Sequence, residues 1–194
     1  MKVVEKYIGF AAAFGLLTGV GAWLARRKPS AKPRHWSKDV EPYAPADPAT
    51  TCDPSPKPGV ELFRAWVLAS RGGYDAGISR ACDTGARSEH HEGRAWDWGI
   101  LAYKEHAAVG TPAVEAFLAA LLANDAELAR RAGIQYMIFN RRIWTAFRHA
   151  EGWRSYTGPS PHTDHVHFSF SRAGARGETS LYPELRADPA AIVA

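Results

Sequence analysis

The sequence predicts an α+β domain built on a small antiparallel sheet. Two segments, 60–70 and 111 onward, place apolar residues at helical spacing, and three short runs, 95–101, 134–139 and 164–170, have strand character. The two kinds do not alternate strictly along the chain, which argues against a parallel βαβ sheet. A chain of 194 residues, 46% hydrophobic, supplies one core and is too short for two. Seven Trp, seven Tyr and eight Phe exclude a disordered chain, because they have to be buried somewhere.

In chain order, Tyr7 to Ala25 is nineteen residues without a charge, YIGFAAAFGLLTGVGAWLA. As a helix it would rise roughly 28 Å, close to the hydrocarbon thickness of about 30 Å. Residues 1–28 are therefore expected to be an N-terminal membrane anchor. A cleaved signal sequence, whose apolar core is usually about 7–15 residues, and a buried core helix are the alternatives. Residues 29–58 hold eight of the thirteen prolines and read as an extended linker that would hold a domain away from a surface. The high pI belongs to this end of the chain. Residues 1–34 carry seven Lys or Arg against Glu5 alone, which leaves the rest of a chain of net charge +4 at −2. A nucleic-acid footprint on the folded part thus loses its main support, and no nucleic-acid partner is expected.

The expected domain spans 59–183, with a tail over 184–194. Val60–Ser70 follows Pro58-Gly59 as a helix, and Gly72-Gly73 ends it. Residues 74–94, rich in Gly, Ser and Asp, read as a long loop, and Ala95–Leu101 as a strand. Thr111-Pro112 offers a capping hydroxyl and a helix-starting proline; the helix restarts near Asp125 and stops at Gly133. Ile134–Phe139 is a strand, Asn140-Arg-Arg142 a helix start, and Asp164–Phe170 an alternating strand. After Ser171 the chain reads as loop and tail. Trp66, Trp96, Trp98 and Trp144 are expected in the core, Arg94 on the surface, and Trp153 and Tyr156 are candidates to line a cleft. The two cysteines, Cys52 and Cys82, suit one disulfide in an oxidising compartment. Two unpaired small hydrophobes, or Cys82 as a thiol nucleophile, are the alternatives.

The chemistry gathers in two windows. Five of the eight histidines fall in Ser88–Asp97 and His162–His167. Period-two geometry puts His165 and His167 on one face of the last strand, and Asp97 on the face of its own strand opposite Trp96 and Trp98. If those strands are neighbours, Asp97 and His167 converge, and His90 can fold back from the loop. Two imidazoles and a carboxylate then make an open zinc site of catalytic type. Asp164, entering the strand three residues before His167, is the first candidate for the base such a site needs; Glu92 and His162 are fallbacks. The zincin pattern fails because residue 95 is Ala, and there is no G-x-S-x-G elbow or Gly-rich phosphate loop.

Ser88-x-His90-x-x-Gly93-x-Ala95-x-Asp97, followed by Asp164-His165-x-His167, resembles the signature of the zinc D-alanyl-D-alanine metallopeptidases, a superfamily that also takes in phage endolysins, lysostaphin-type enzymes and the hedgehog fold. The likeness covers roughly residues 59–172 and is to the carboxypeptidase-like branch of actinobacterial surface proteins. It implies zinc held by His90, Asp97 and His167, Asp164 as general acid/base, and His165 holding substrate or oxyanion. It further implies an upstream arginine that supports the transition state. Arg80 stands where the family's usual sequence context is absent, with Arg71 and Arg87 as rivals. The implied activity is hydrolysis of peptidoglycan stem peptides or cross-links. A non-catalytic zinc module that binds cell wall or protein is the alternative. Five Lys or Arg just after residue 25 would leave the domain cytoplasmic by the positive-inside rule. The cysteines and the implied substrate point outside, so an extracytoplasmic, membrane-anchored domain is expected.

Overall fold

Alternation of apolar and polar residues in Ala95–Gly99 and His165–Phe170 gives each of these neighbouring interior strands a core face and a polar face. The computed structural model describes residues 36–192. The strands are β1 (Tyr74–Gly77), β2 (Ala95–Gly99), β3 (Ile134–Phe139), β4 (Arg142–Thr145), β5 (Arg154–Ser155) and β6 (His165–Phe170). They form one six-stranded sheet in the order β1-β2-β6-β3-β4-β5, with every neighbouring pair antiparallel. The fold is α+β.

One face of the sheet is covered by α1 (Pro58–Arg71) and α2 (Thr111–Ala132). Phe63 of α1 sits 5.2 Å, ring to ring, from both Phe168 and Phe170 and 6.3 Å from Trp96, all edge-on. Phe117 of α2 meets Trp66 and Trp98 at 5.7 Å. Edge-to-face pairs of this kind add to the apolar area buried. Backbone at Ala123–Ala126 leaves the helical region, so α2 is two helices about a break, where a restart at Asp125 is expected from sequence. Its cap is Gly110, and Thr111 already lies inside the helix without a capping bond.

Three elements differ from the sequence reading. Residues 74–77 form edge strand β1 rather than loop. Asn140-Arg141 is a turn, with φ of 46° and 61°, that joins β3 to β4 rather than starting a helix. Positive φ at both central residues is the hairpin geometry that matches strand twist. After Ser171 the chain forms α3 (Arg172–Arg176) and α4 (Leu181–Ala187), which bury Leu181, Tyr182 and Leu185. The expected tail is also docked at its end, where Trp66 donates to the Ile192 carbonyl at 3.1 Å.

The anchor expected over residues 1–28 lies outside the described residues. Among the described residues no helix is long and apolar enough to cross a membrane. Residues 36–57 have neither helix nor strand, as their prolines dictate, but they are a strap and not a spacer. Glu41 accepts from Ser180 N and Oγ at 2.6 and 2.7 Å, Tyr43 donates to Asp125 at 2.8 Å, and Ala44 is buried. Residue 93 has to be glycine for this path. Its φ is 60°, and a side chain there would overlap the Ser55 carbonyl.

Candidate metal centre

Register builds the site. Asp97 on β2 is directly opposite His167 on β6, and Gly99 is opposite His165. Opposed residues of an antiparallel pair project to the same face. The donor face thus lies across the sheet from Trp96, Trp98, Val166 and Phe168, all fully buried. His90 arrives from the one-turn 3-10 helix Glu89–Glu92, which closes onto Ser88 through a capping box and leaves through Gly93.

His167 Nδ1 lies 2.9 Å from Asp97 Oδ1, and His90 Nε2 lies 3.3 Å from each of those atoms. Four-coordinate zinc with ligands at about 2.0–2.1 Å holds its donors roughly 3.3 Å apart, so the three atoms fit such an ion. The group could hold a metal ion. One further observation agrees with the fit. His90 Nδ1 donates to the Ile78 carbonyl at 2.7 Å, which fixes the tautomer and turns the Nε2 lone pair inward. His167 Nε2 is buried with no hydrogen-bond partner among the described residues, so the ring's polar contacts are all at its Nδ1 edge. Tyr136 stacks on His167 at 5.3 Å and donates to buried Glu89, giving the site a dry wall.

The electrostatics favour ligation. Burial raises the Asp97 carboxyl, but hydrogen bonds from His167 and His90 outweigh that and hold it far below the usual carboxylate range. Burial likewise holds the His167 imidazole below its ordinary value despite Asp97, favouring the neutral ring that binds metal.

Of the other residues singled out by sequence, His165 comes closest, its Nε2 3.7 Å from Asp97 Oδ1. Asp164 sits in the bend entering β6, but its carboxylate is turned onto His165 Nδ1 at 2.8 Å and is largely exposed, away from the three donors. That bond holds the Asp164 carboxyl below its ordinary value. Arg80 meets the turn that carries His90: its backbone N–H donates to the His90 carbonyl at 3.1 Å and its guanidinium reaches Ser88 at 3.3 Å. Its rivals are engaged elsewhere, Arg87 on the Thr51 carbonyl and Arg71 over the Phe117 ring.

Glu92, a fallback base, is structural. Its carboxylate takes Arg94 at 2.6 Å and the backbone and hydroxyl of the strap at Thr50 and Thr51. Arg94, expected on the surface, is buried and also donates to Gln135, Phe170 O and Asp47 O. Cys52 and Cys82 form the disulfide that ties the strap to the loop before His90, and no cysteine is free. Asp53 N donates to His91 O beside it at 2.8 Å.

His162, the other fallback, is a fourth imidazole at the centre. It is buried, with its ring 4.7 Å from His165 and 5.7 Å from His167, and Tyr156 borders it at 5.3 Å. Burial, then the charge of His167, pushes it down to about 4. Its φ of 50° is one that histidine rarely adopts. Glu89 and Tyr136 were not singled out by sequence. Their signal is the period-two position of Tyr136 on β3, opposite Ser169 of β6 on the donor face.

No curated protein and no solved structure matches the chain. A family model, VldE, C-terminal domain, matches residues 52–167, more than half of the chain. That span opens at the strap's disulfide cysteine and closes on the third donor, so it holds every element of the centre: the chain belongs to the VldE C-terminal domain family.

Proposed function

We propose that the protein is a zinc-dependent peptidase acting on peptidoglycan stem peptides or cross-links, anchored through residues 7–25 with its domain outside the cytoplasm. The observation that carries this reading is the convergence of His90 Nε2, Asp97 Oδ1 and His167 Nδ1 within 3.3 Å, beside the Asp164–His165 pair. The peptidoglycan substrate follows from the motif resemblance, and the disulfide supports an oxidising compartment. Zinc held by the three residues would polarise a scissile carbonyl and bring a bound water's pKa to about 7.

The chain's own groups then have defined tasks. His165 Nδ1–H donates to Asp164 Oδ1, which leaves His165 Nε2 facing the donor set as the atom able to take a proton. Asp164 orients that ring and stabilises its charged form, so the general-base role expected of Asp164 alone is shared by the pair. Arg80, whose guanidinium reaches Ser88, would meet a developing oxyanion or a substrate carboxylate. Tyr136 and Tyr156 limit water around the histidines.

Digestion of purified muropeptides by the full-length protein, followed by mass spectrometry, tests the reading. The wild type should release amino acid or split cross-links. Asp164→Asn and His165→Gln should each lower turnover by about 10²–10⁴-fold while zinc is retained. Full metal loading without hydrolysis of any muropeptide would instead favour a zinc module that binds and does not cut.

A further inference from the structure

The donor face runs on past the metal centre. His167 is directly opposite Ile138 on β3, Ile138 is opposite Ile143 on β4, and Ile143 is opposite Arg154 on β5. Opposed residues share a face, so one row of side chains leads from His167 over two isoleucines to an arginine. The neighbouring pair Tyr136 and Thr145 falls on the same face. Alternate positions go the other way: Arg142 bonds Glu115 of α2, and its guanidinium lies 5.3 Å from the Trp153 ring centre. Of the two aromatic residues expected from sequence to line a cleft, Trp153 therefore packs against the core, while Tyr156 borders His162.

Arg154 is held along this face, and its charge is not cancelled there. Its Nη2 donates to Thr145 Oγ1 at 2.8 Å, which keeps the guanidinium over β4, and the side chain is only 23% exposed. The carboxylate beside it, Glu151, lies 3.6 Å from Nε, too far for a hydrogen bond. Both Glu151 oxygens are already taken by Arg148, at 2.6 and 2.7 Å. Two guanidiniums thus face one carboxylate. Thr145 is the one hydrogen-bond acceptor Arg154 has among the described residues, and its Nε is buried without any. A largely buried guanidinium with most of its donors unmatched is costly to keep unless a ligand brings acceptors.

Spacing selects the ligand. Adjacent strands lie about 4.8 Å apart, so a guanidinium over β4 stands about 10 Å from β6 and the metal centre. An anion would approach the guanidinium to about 3 Å. That leaves about 7 Å to a carbonyl held at the metal, the span of two extended residues at about 3.3–3.6 Å each. The row between them is apolar, with Ile138 buried and Ile143 half-buried. We propose that Arg154 clamps a substrate carboxylate two residues from the scissile bond, with Ile138 and Ile143 as the floor beneath the intervening residue. The guanidinium fork suits the task because it pairs with a carboxylate through two parallel hydrogen bonds. That the carboxylate belongs to a cleaved peptide rests on the peptidase reading; that Arg154 takes a carboxylate does not.

The test gives zinc-loaded full-length protein a muropeptide whose carboxylates are free or amidated one at a time. The products fix the cut bond, and with it the carboxylate two residues away. Amidating that carboxylate should raise KM of the wild type about tenfold with kcat unchanged, and should alter KM of Arg154→Met by under about twofold. Arg154→Lys, which keeps the charge without the fork, should retain part of the difference. Should Arg154→Met not fold, Thr145→Val removes only the acceptor that aims the guanidinium and should shrink the amidation effect about threefold. An Arg154 with a purely structural role would impair free and amidated substrates alike, and that result would overturn the clamp. Should no muropeptide be cut, calorimetric titration of the same holoprotein with the free and the fully amidated muropeptide separates the two readings. Affinity lost on amidation in the wild type, and indifferent to it in Arg154→Met, keeps the clamp while the peptidase reading falls. Equal wild-type affinity for both forms overturns the clamp.

Discussion

The two faces of strands β2 and β6 use the same backbone for opposite ends. Trp96, Trp98, Val166 and Phe168 point one way and lock onto α1 and α2; Asp97, His165 and His167 point the other and gather donors. A step of one residue converts core into chemistry, because side chains alternate across a strand. The core face is held by area and the donor face by a few directed contacts, so substitutions on the two should fail in different ways.

The largest expected effect breaks the core face. Trp96→Ala should lower the unfolding free energy by about 3–5 kcal/mol in urea denaturation. Its neighbour Asp97→Asn keeps size and shape, should cost metal-free stability only about 1.5–3 kcal/mol for the lost charge-assisted hydrogen bonds, and should abolish metal binding. Equal destabilisation by both would dissolve the division between faces.

Next in size is the strap. Replacing Cys52 and Cys82 together by Ser opens a bridge of sequence separation 30 and should cost about 3–4 kcal/mol. The strap secures the loop whose Ile78 carbonyl orients His90, so calorimetric zinc affinity should also fall. Unchanged affinity in a folded double variant would separate strap from centre.

The smallest effect sharpens the donor face. His162 is held at about 4 against an ordinary value of 6.5, so the unfolded chain binds the extra proton between these values. Stability of chelated protein is full above about pH 6.5 and declines as pH falls toward 4. Buried His167, shifted the same way, adds to that slope, so His162→Asn should flatten the thermal-midpoint profile there without erasing it. The depressed Asp97 works in a lower window: its contribution is present above its unfolded value of 3.8 and disappears as pH drops further. A profile identical in His162→Asn would remove His162 from the cluster.

Much of this was legible in the sequence because it follows period and spacing. The alternation around Asp97 and His167 announced both strands and both faces, and the proline-bounded helices and the cysteine pair were readable from composition. What was not legible depended on partners distant in sequence. Edge strand β1 is defined by its pairing with β2, a partner about twenty residues on, and Arg94 looks like a surface charge until Glu92, Gln135 and Asp47 surround it. The strap is extended as its prolines require, but that it lies against the domain is decided by Glu92 and Glu41 as acceptors. Asp164 was found by spacing alone. Its turn toward His165 depends on the bend before β6, which alternation does not report.

The most direct measurement is the metal content of purified full-length protein, by inductively coupled plasma mass spectrometry, beside His167→Ala. The account predicts about one zinc per chain in the wild type and none in the variant, with the variant still folded by circular dichroism. A folded wild type that neither carries nor takes up zinc, or a His167→Ala protein that keeps it, would contradict the assignment of His90, Asp97 and His167 as its ligands.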